Sequence, residues 1–304
     1  MKVVLLSGGG GGARFARGLR DVLEPGELSV VGNVGDDLEI LGVHVSPDID
    51  SLLYVLAGLL DDDRGWGRAG ESWNALSAVS HWGGDDWFRL GDLDLGLHLV
   101  RSRELRAGRS LSAITADLVD RAGVEARILP ATDDRLRTQI VTEAGTFPFQ
   151  EWFVGRRHED GVDAVAYEGE EAARPGPGVV DAIEAADAVL VAPSNPFLSI
   201  GPILAIAGIH QALAARRAGR VAVSPLIGGK AVTGPLARML SRMAGGTTPA
   251  HVVGRYEGLI DALVIDEADA PAEAAVPLVV TDTLMRDREA ERRLATVALE
   301  AACA

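Results

Sequence analysis

A mostly parallel, Rossmann-like α/β sheet with helices on both faces is the fold class this 304-residue sequence predicts. Three observations carry that expectation. Short β-branched and leucine-rich runs alternate with helical patterns from end to end. The first such run opens directly into five glycines, "LLSGGGGGARF" at residues 5 to 15, with helical spacing behind them. Between about 51 and 123 the strand signal fades, which reads as a helical insertion lobe within a single domain spanning 1–304.

"KVVLLSG" is the first strand, and "ARFARGLRDVL" follows with apolar residues at 15, 19, 22 and 23, a helical period. "ELSVVGN" is the second strand. Further strands are expected at 126–130, 137–143, 163–168, 187–193, 219–225 and 261–267, each a β-branched run bounded by turn residues. Helices are expected in "SLLYVLAGLL", "ESWNALSAVSHW", "LGLHLVRSRELRAG" and "SLSAITADLVDRAG". Residues 170–180 and 267–277, rich in proline, glycine and acids, are expected loops.

Composition excludes several functions. With 44 acidic against 29 basic residues the formal charge is −15, a surface that repels nucleic acid. The longest apolar runs are far short of the ~20 residues that span a bilayer, so no membrane partner is expected. The N-terminal stretch lacks a signal-peptide pattern, which points to a cytoplasmic protein. Cys303 is the lone cysteine, so internal disulfides are excluded, and it reads as a bystander. Only two of the basic residues, Lys2 and Lys230, are lysines.

The glycine run follows a strand and opens a helix, so backbone amides and the positive helix end converge on one point suited to phosphate. A Cβ there would hold an anion away. Gly-Lys-Ser/Thr is absent, since the loop runs into Ala13 and Arg14, and a P-loop is rejected. A dinucleotide fingerprint can be forced as Gly8, Gly10 and Ala13, but the second strand ends at Asn33 without its ribose-binding acid. The acids come later, as Asp36, Asp37, Asp48 and Asp50 in "GNVGDDLEILGVHVSPDID". Carboxylates beside a phosphate site repel it unless a hard cation bridges them, so Mg2+ is the expected cofactor. Asp48 or Asp50 as a simple helix cap is the plain alternative.

Two further loops follow buried-type strands. "APSNPFLSIGP" at 192–202 carries Ser194, Asn195, Pro196, Ser199 and Gly201, and "VSPLIGGKAVTGP" at 223–235 carries Ser224, Gly228 and Lys230. On neighbouring strands they would share one crevice with the glycines. Trp66, Trp73, Trp82 and Trp87 fall in the helical stretch and are expected as the core of a small lobe, ahead of a stacking surface. "WFRLGDLDLGLHLVR" places Arg89, Asp92, Asp94, His98 and Arg101 beside them, with His98 and Arg101 on one helix face. The other histidines are dispersed, so no zinc spacing appears, and no G-x-S-x-G elbow exists.

The order SGGGGGARF, NVGDD, SPDID, ESW, WFRLGDLD, LPATDD, FQEWFV, APSNP, SIGPILA and SPLIGG resembles the 2-phospho-L-lactate transferases of deazaflavin coenzyme F-420 biosynthesis, from residue 3 to about 285. The resemblance implies a magnesium-dependent transfer of a phospholactyl or phosphoenolpyruvyl group from a guanosine diphosphate-linked donor to the deazaflavin alcohol Fo, releasing GMP. It implies that Gly8, Gly9, Gly10, Gly11, Gly12, Arg14 and Asn33 hold the donor phosphates. Ser194, Asn195, Pro196, Ser199, Gly201, Ser224, Gly228 and Lys230 would hold its guanosine end. Asp37, Asp48 and Asp50 would bind the metal, Asp50 and Asp37 being the catalytic pair. Asp50, Arg89, Asp92, Asp94 and His98 would face Fo. Where the family often has GDRD, this chain has Gly91-Asp92-Leu93-Asp94, which removes a guanidinium from the acceptor side. A homodimer is the expected assembly. Two competitors share parts of the pattern: a nucleotide-sugar-binding regulator with a similar glycine loop, and a nicotinamide dehydrogenase.

Overall fold

The computed structural model describes residues 1–216 and 219–304. Seven strands form the central sheet: β1 (Val3–Ser7), β2 (Leu28–Gly32), β3 (Arg127–Pro130), β4 (Ala188–Val191), β5 (Arg220–Val223), β6 (Ala262–Asp266) and β7 (Leu278–Thr281). They lie in the order 7-6-5-4-1-2-3, and every neighbouring pair is parallel. Because helices cover both faces, β1, β2, β4 and β6 are buried at every residue. The order reverses between β1 and β4. At such a switch point the loops part and leave a crevice at the carboxyl ends of the strands.

Around the sheet run α1 (Gly9–Val22), α2 (Pro47–Leu56), α3 (Asn74–His81), α4 (Asp92–Arg106), α5 (Leu111–Arg121) and α6 (Arg288–Cys303), with shorter helices between the last two. Helix α1 crosses α6 so closely that a Cβ on Gly18 would sit 2.4 Å from the Glu291 carbonyl oxygen. Beside that crossing the buried Arg17 donates to both Glu291 oxygens, at 2.8 and 2.7 Å. The helix begins at Gly9, four residues before the expected start, so most of the glycine run is its first turn and not an open loop.

The expected strands at 137–143 and 163–168 form, but outside the parallel sheet. Arg137–Thr142 pairs antiparallel with Gly145–Pro148 and Val162–Glu168 in a separate three-stranded sheet. Alternate residues of Arg137–Thr142 are buried, the signature of a sheet with one wet face. The acidic stretch after Asn33 contains a hairpin, Leu38–Ile40 with Val43–Val45. Its Leu41-Gly42 corner has positive φ at both residues, 51° and 74°.

Within the helical span, α2 and α5 pack on the main core, burying Ile49, Leu52, Leu53, Leu111 and Val119. A second, smaller core joins the hairpin to the start of α4 through Ile40, Val43, Val45 and Leu90, against which Trp87 and Phe88 pack. The tryptophan expectation therefore holds for Trp87 alone. Trp82 is 84% and Trp66 48% exposed. Trp73 is half-buried, with two guanidinium groups near its ring: Arg64 at 5.4 Å and Arg89 at 4.5 Å from the ring centre.

Candidate active site

Four loops meet at the switch point. Asn33 leaves β2, Gly8 leaves β1, Ser194 follows β4 and Ser224 follows β5, on adjacent strands of the sheet. The two middle loops are locked together: the Ser194 hydroxyl donates to the Gly8 carbonyl at 2.7 Å. Side chains would not fit there. A Cβ on Gly12 would lie 2.4 Å from Ser7 Oγ and 2.8 Å from Ser194 Oγ, and one on Gly8 would lie 2.6 Å from Asp48 Oδ2. Gly10 and Gly11 are exposed at the helix start, and a Cβ on Gly10 would meet nothing closer than the Gly65 carbonyl oxygen at 3.9 Å. Their amides belong to the first helical turn, which has no intrahelical acceptors for them. Arg14, one turn on, makes no hydrogen bond or ion pair among the described residues.

The other residues expected on the donor side shape the backbone. Asn195 Oδ1 accepts from the amides of Phe197 and Leu198, at 2.9 and 3.2 Å, turning the chain after Pro196. Ser199 Cβ lies 2.9 Å from the place a Gly8 side chain would occupy. At Gly201 the Tyr167 hydroxyl, donating to the Phe197 carbonyl at 2.6 Å, fills the space of a Cβ. Ser224 Oγ accepts from the Leu226 amide. Gly228 and Gly229, both with positive φ, turn a short hairpin that leaves Lys230 exposed.

Four buried aspartates lie after β2 and at the start of α2: Asp36, Asp37, Asp48 and Asp50. Asp48 accepts from the Gly9 amide at 2.7 Å and from Asn33 Nδ2 at 2.9 Å, so it caps α1 from a distance. Burial pushes its carboxyl up to about 6, against those two hydrogen bonds, with the Asp37 charge adding to the rise. Burial likewise pushes Asp36 well up, and the Asp48 and Asp37 charges push it further. Asp37 Oδ2 accepts from Ser46 Oγ and lies 3.0 Å from His44 Nε2. The remaining oxygens, Asp36 Oδ1 and Asp37 Oδ1, are buried without a hydrogen-bond partner.

Those two oxygens fit a hard cation, which would accept the lone pairs that no hydrogen-bond donor among the described residues engages. Among the described residues no three His, Cys, Asp or Glu side chains are grouped to hold a metal by themselves. Magnesium needs only one or two carboxylates when phosphate oxygens complete its shell.

Asp50 is held differently. Arg101, fully buried on α4, donates Nη1 to Asp50 Oδ2 at 2.9 Å and Nη2 to Asp50 Oδ1. Both carboxylate oxygens are thereby engaged in a forked ion pair. Arg101 Nη1 also approaches His98 Nδ1 at 3.3 Å, and His98 Nε2 lies 3.2 Å from Asp94 Oδ1. Burial pushes the Tyr54 hydroxyl far up, and it donates to the same Asp94 oxygen. Arg101, Asp50, His98, Asp94 and Tyr54 thus form one network tying α2 to α4.

Two motifs expected on the acceptor side, ESW and GDLD, are reciprocal helix caps. Glu71 accepts from the amides of Leu93 and Asp94, both at 2.8 Å, at the start of α4. Asp92 accepts from Ser72 Oγ at 2.6 Å and from the amides of Asn74 and Ala75, at 3.1 and 2.9 Å, at the start of α3. The Ser72 hydroxyl and these amides hold the Asp92 carboxyl down at about 2. Leu93 points outward, 48% exposed. Beside the caps, a groove of about 480 Å³ is lined by Trp73, Leu76, Ser77, Ser80, Asp86 and Arg89.

A model of the family described as 2-phospho-L-lactate transferase CofD matches residues 3–296. The chain belongs to this family. A "Phosphoenolpyruvate transferase" of Nocardia farcinica is 43% identical over 300 residues, covering 92% of this chain and 90% of the relative. Another of that name, from Thermobifida fusca, is 42% identical and covers 99% and 98%. A solved member of the UPF0052 family from Bacillus halodurans shares the fold, with a TM-score of 0.64 at 16% identity over 98% of this chain and all of that one. The protein is accordingly a transferase of the CofD type. No helix among its described residues is long and apolar enough to cross a membrane.

Sequence reading missed parts of this CofD-type site. His44 bridges Asp37 and Glu39, at 3.0 and 3.1 Å, and its amide takes Ser102 Oγ of α4 as acceptor at 2.7 Å. Ser46 and Tyr54 went unremarked, and Arg101 was noticed without its partner. Their local signals are weak, because each acts on a carboxylate that the fold, and not the spacing, brings to it.

Proposed function

We propose that this transferase moves a phosphoenolpyruvyl or phospholactyl group from a guanosine diphosphate-linked donor to the 5′-hydroxyl of Fo and releases GMP, with magnesium, in coenzyme F-420 biosynthesis. The observation that supports it most is the meeting, at one switch point, of a bare helix start with two partnerless buried carboxylate oxygens. The names of the curated relatives support phosphoenolpyruvyl as the transferred group.

In this reading the amides of Gly10 and Gly11, with Arg14 behind them, bind the donor's phosphates. The Ser194–Gly201 and Ser224–Lys230 loops flank its guanosine end. Asp36 and Asp37 hold the magnesium, with Asp48 keeping the glycine turn in register beside it. When bound, the ion neutralises charge on the diphosphate oxygens. Trp73 and Arg89 offer the deazaflavin ring a flat, cationic surface along the groove. Asp50, fixed by Arg101, orients the acceptor hydroxyl. That oxygen attacks the β-phosphorus, the bond to GMP breaks, and a carboxylate of the cluster takes the hydroxyl proton late in the step. Positioning and charge neutralisation do most of the catalysis.

Incubating the purified chain with Fo, magnesium and each candidate donor, then weighing the product, tests the proposal. A mass increase on Fo equal to the transferred group, with GMP formed in equal amount and lost on chelation, is expected. Donor binding without any product from Fo would instead favour a nucleotide-binding regulator.

A further inference from the structure

Between α2 and α3 the chain doubles back in a strap, residues 59–70. Its stem is closed by the Leu60–Arg68 bridge and by the Ala69 amide, which donates to the Leu59 carbonyl at 2.7 Å. Further out, the Asp61 amide donates to the Gly67 carbonyl at 3.0 Å and the Gly65 amide to the Asp61 carbonyl at 2.8 Å. Arg17 Nη1 donates to Asp62 Oδ1 at 3.2 Å and ties the strap to α1. The tip lies over the glycine run. A Cβ on Gly10 would meet the Gly65 carbonyl oxygen at 3.9 Å, and one on Gly65 would come 3.4 Å from Arg14 Nη2.

That carbonyl opposes a phosphate. An anion seated on the Gly10 and Gly11 amides brings its own oxygens toward the Gly65 oxygen, and two acceptors without a proton between them repel. The peptide that carries this oxygen is free to turn. Neither the Gly65 carbonyl nor the Trp66 amide makes a hydrogen bond among the described residues. Gly65 and Gly67, at φ 75° and 70°, flank it with backbone that reaches either hand of the φ/ψ map. Turning it withdraws the oxygen and presents the Trp66 N–H to the phosphate.

Side chains of the same strap reach the acceptor groove. The Arg64 guanidinium lies 5.3 Å from the Trp66 ring centre and 5.4 Å from that of Trp73, and the two indoles are 6.5 Å apart. Arg64 Nη2 donates to the Arg68 carbonyl at 2.7 Å and lies 2.9 Å from Asp61 Oδ2, so the guanidinium moves with the strap. Its Nε is buried without a partner. Arg64 thus occupies part of the surface that Trp73 offers to a flat ring.

We propose that this strap couples the two substrates: donor phosphates turn the Gly65–Trp66 peptide, the strap shifts, and Arg64 draws back from Trp73 so that Fo stacks there. The inference rests on the transfer reading for which ligand fills each subsite. Arg64 is a positioning residue, acting on Fo through Trp73. By reciprocity Fo raises donor affinity by the same factor.

Calorimetry and tryptophan fluorescence on the full chain with magnesium test this, with GDP as the donor-side probe. GDP is expected to raise Fo affinity about fivefold or more, and guanosine, which lacks phosphates, to leave it unchanged. Without Fo present, GDP should also change the tryptophan emission. Arg64→Ala should bind Fo alone more tightly than the unmodified chain does and gain less than about twofold when GDP is added. Trp66→Phe should bind GDP yet lose most of the emission change. An Fo affinity indifferent to bound GDP, an Arg64→Ala chain coupled as strongly as the unmodified one, or an emission change undiminished in Trp66→Phe would overturn the coupling and leave the transfer reading standing. A chain that binds no GDP would overturn both.

Discussion

Asp50→Asn leaves the Arg101 guanidinium buried without the carboxylate that neutralises it. Arg101 is 0% and Asp50 4% exposed, so water does not replace the lost charge. Breaking such a pair from one side costs ~3–5 kcal/mol. The amide keeps one oxygen as acceptor and the Asp37 charge still acts on Arg101, which argues for the lower end, about 3 kcal/mol. For a chain of this size that is a fall of about 5 °C in Tm. Turnover should drop ~10²-fold or more if Asp50 orients the acceptor hydroxyl. Thermal unfolding and product formation, measured on the same preparation, read the two effects separately. The double variant with Arg101→Gln separates them further: with both charges gone the stability loss should be smaller than the sum of the single losses, while turnover stays low. A single variant that melts with the unmodified protein would refute the ion-pair argument, and one that turns over normally would remove Asp50 from the chemistry.

Gly10→Ala has room for its methyl group and adds a better helix former, so Tm should hold or rise while donor affinity falls about tenfold or more by calorimetry. Unchanged donor binding would place the phosphates elsewhere. Arg89→Ala should raise the Michaelis constant for Fo more than that for the donor, because Arg89 sits on Trp73 beside the 480 Å³ groove. A donor-selective defect would reverse the two subsites. Burial works against it, but amides of Ala268 and Thr283 lower the Asp266 carboxyl, and the Arg220 hydrogen bonds lower Asp261 in the same way. A carboxylate lowered by folding stabilises fully above its unfolded value near 4, and that contribution fades as pH falls through the lower folded value. Tm should therefore decline as pH falls below about 4, and a flat profile from pH 5 to about 2.5 would contradict it.

What the sequence disclosed follows from how each element is buried. Strands covered on both faces read as unbroken apolar runs, as in "VVLLS" and "AVLV", and these were legible with their order of loops. "RTQIVT" alternates, and its alternation distinguishes the small antiparallel sheet from the main one when weighed by itself. The Leu41-Gly42 corner hides because leucine is not a usual residue at positive φ. Trp66 and Trp82 misled because composition counts aromatics without saying which way a short lobe turns them.

The aspartates of the crevice show where motif reading ends. Asp36, Asp37, Asp48 and Asp50 look equivalent in sequence, yet the fold gives them three kinds of partner. Asp48 meets donors from Gly9 and Asn33, Asp50 meets a guanidinium from a helix 51 positions on, and Asp36 and Asp37 each keep an oxygen that nothing in the chain satisfies. Buried polar atoms are almost always paired, so the partnerless oxygens mark the positions at which binding energy is available to a ligand. The same test relocates the GDLD motif. Asp92 is fully occupied in capping α3 and Leu93 faces outward, so replacing the family's arginine there alters the surface next to α4 more than the crevice itself. In the proposed reading acceptor recognition then rests on Arg89 and Trp73, which line the groove beside the caps.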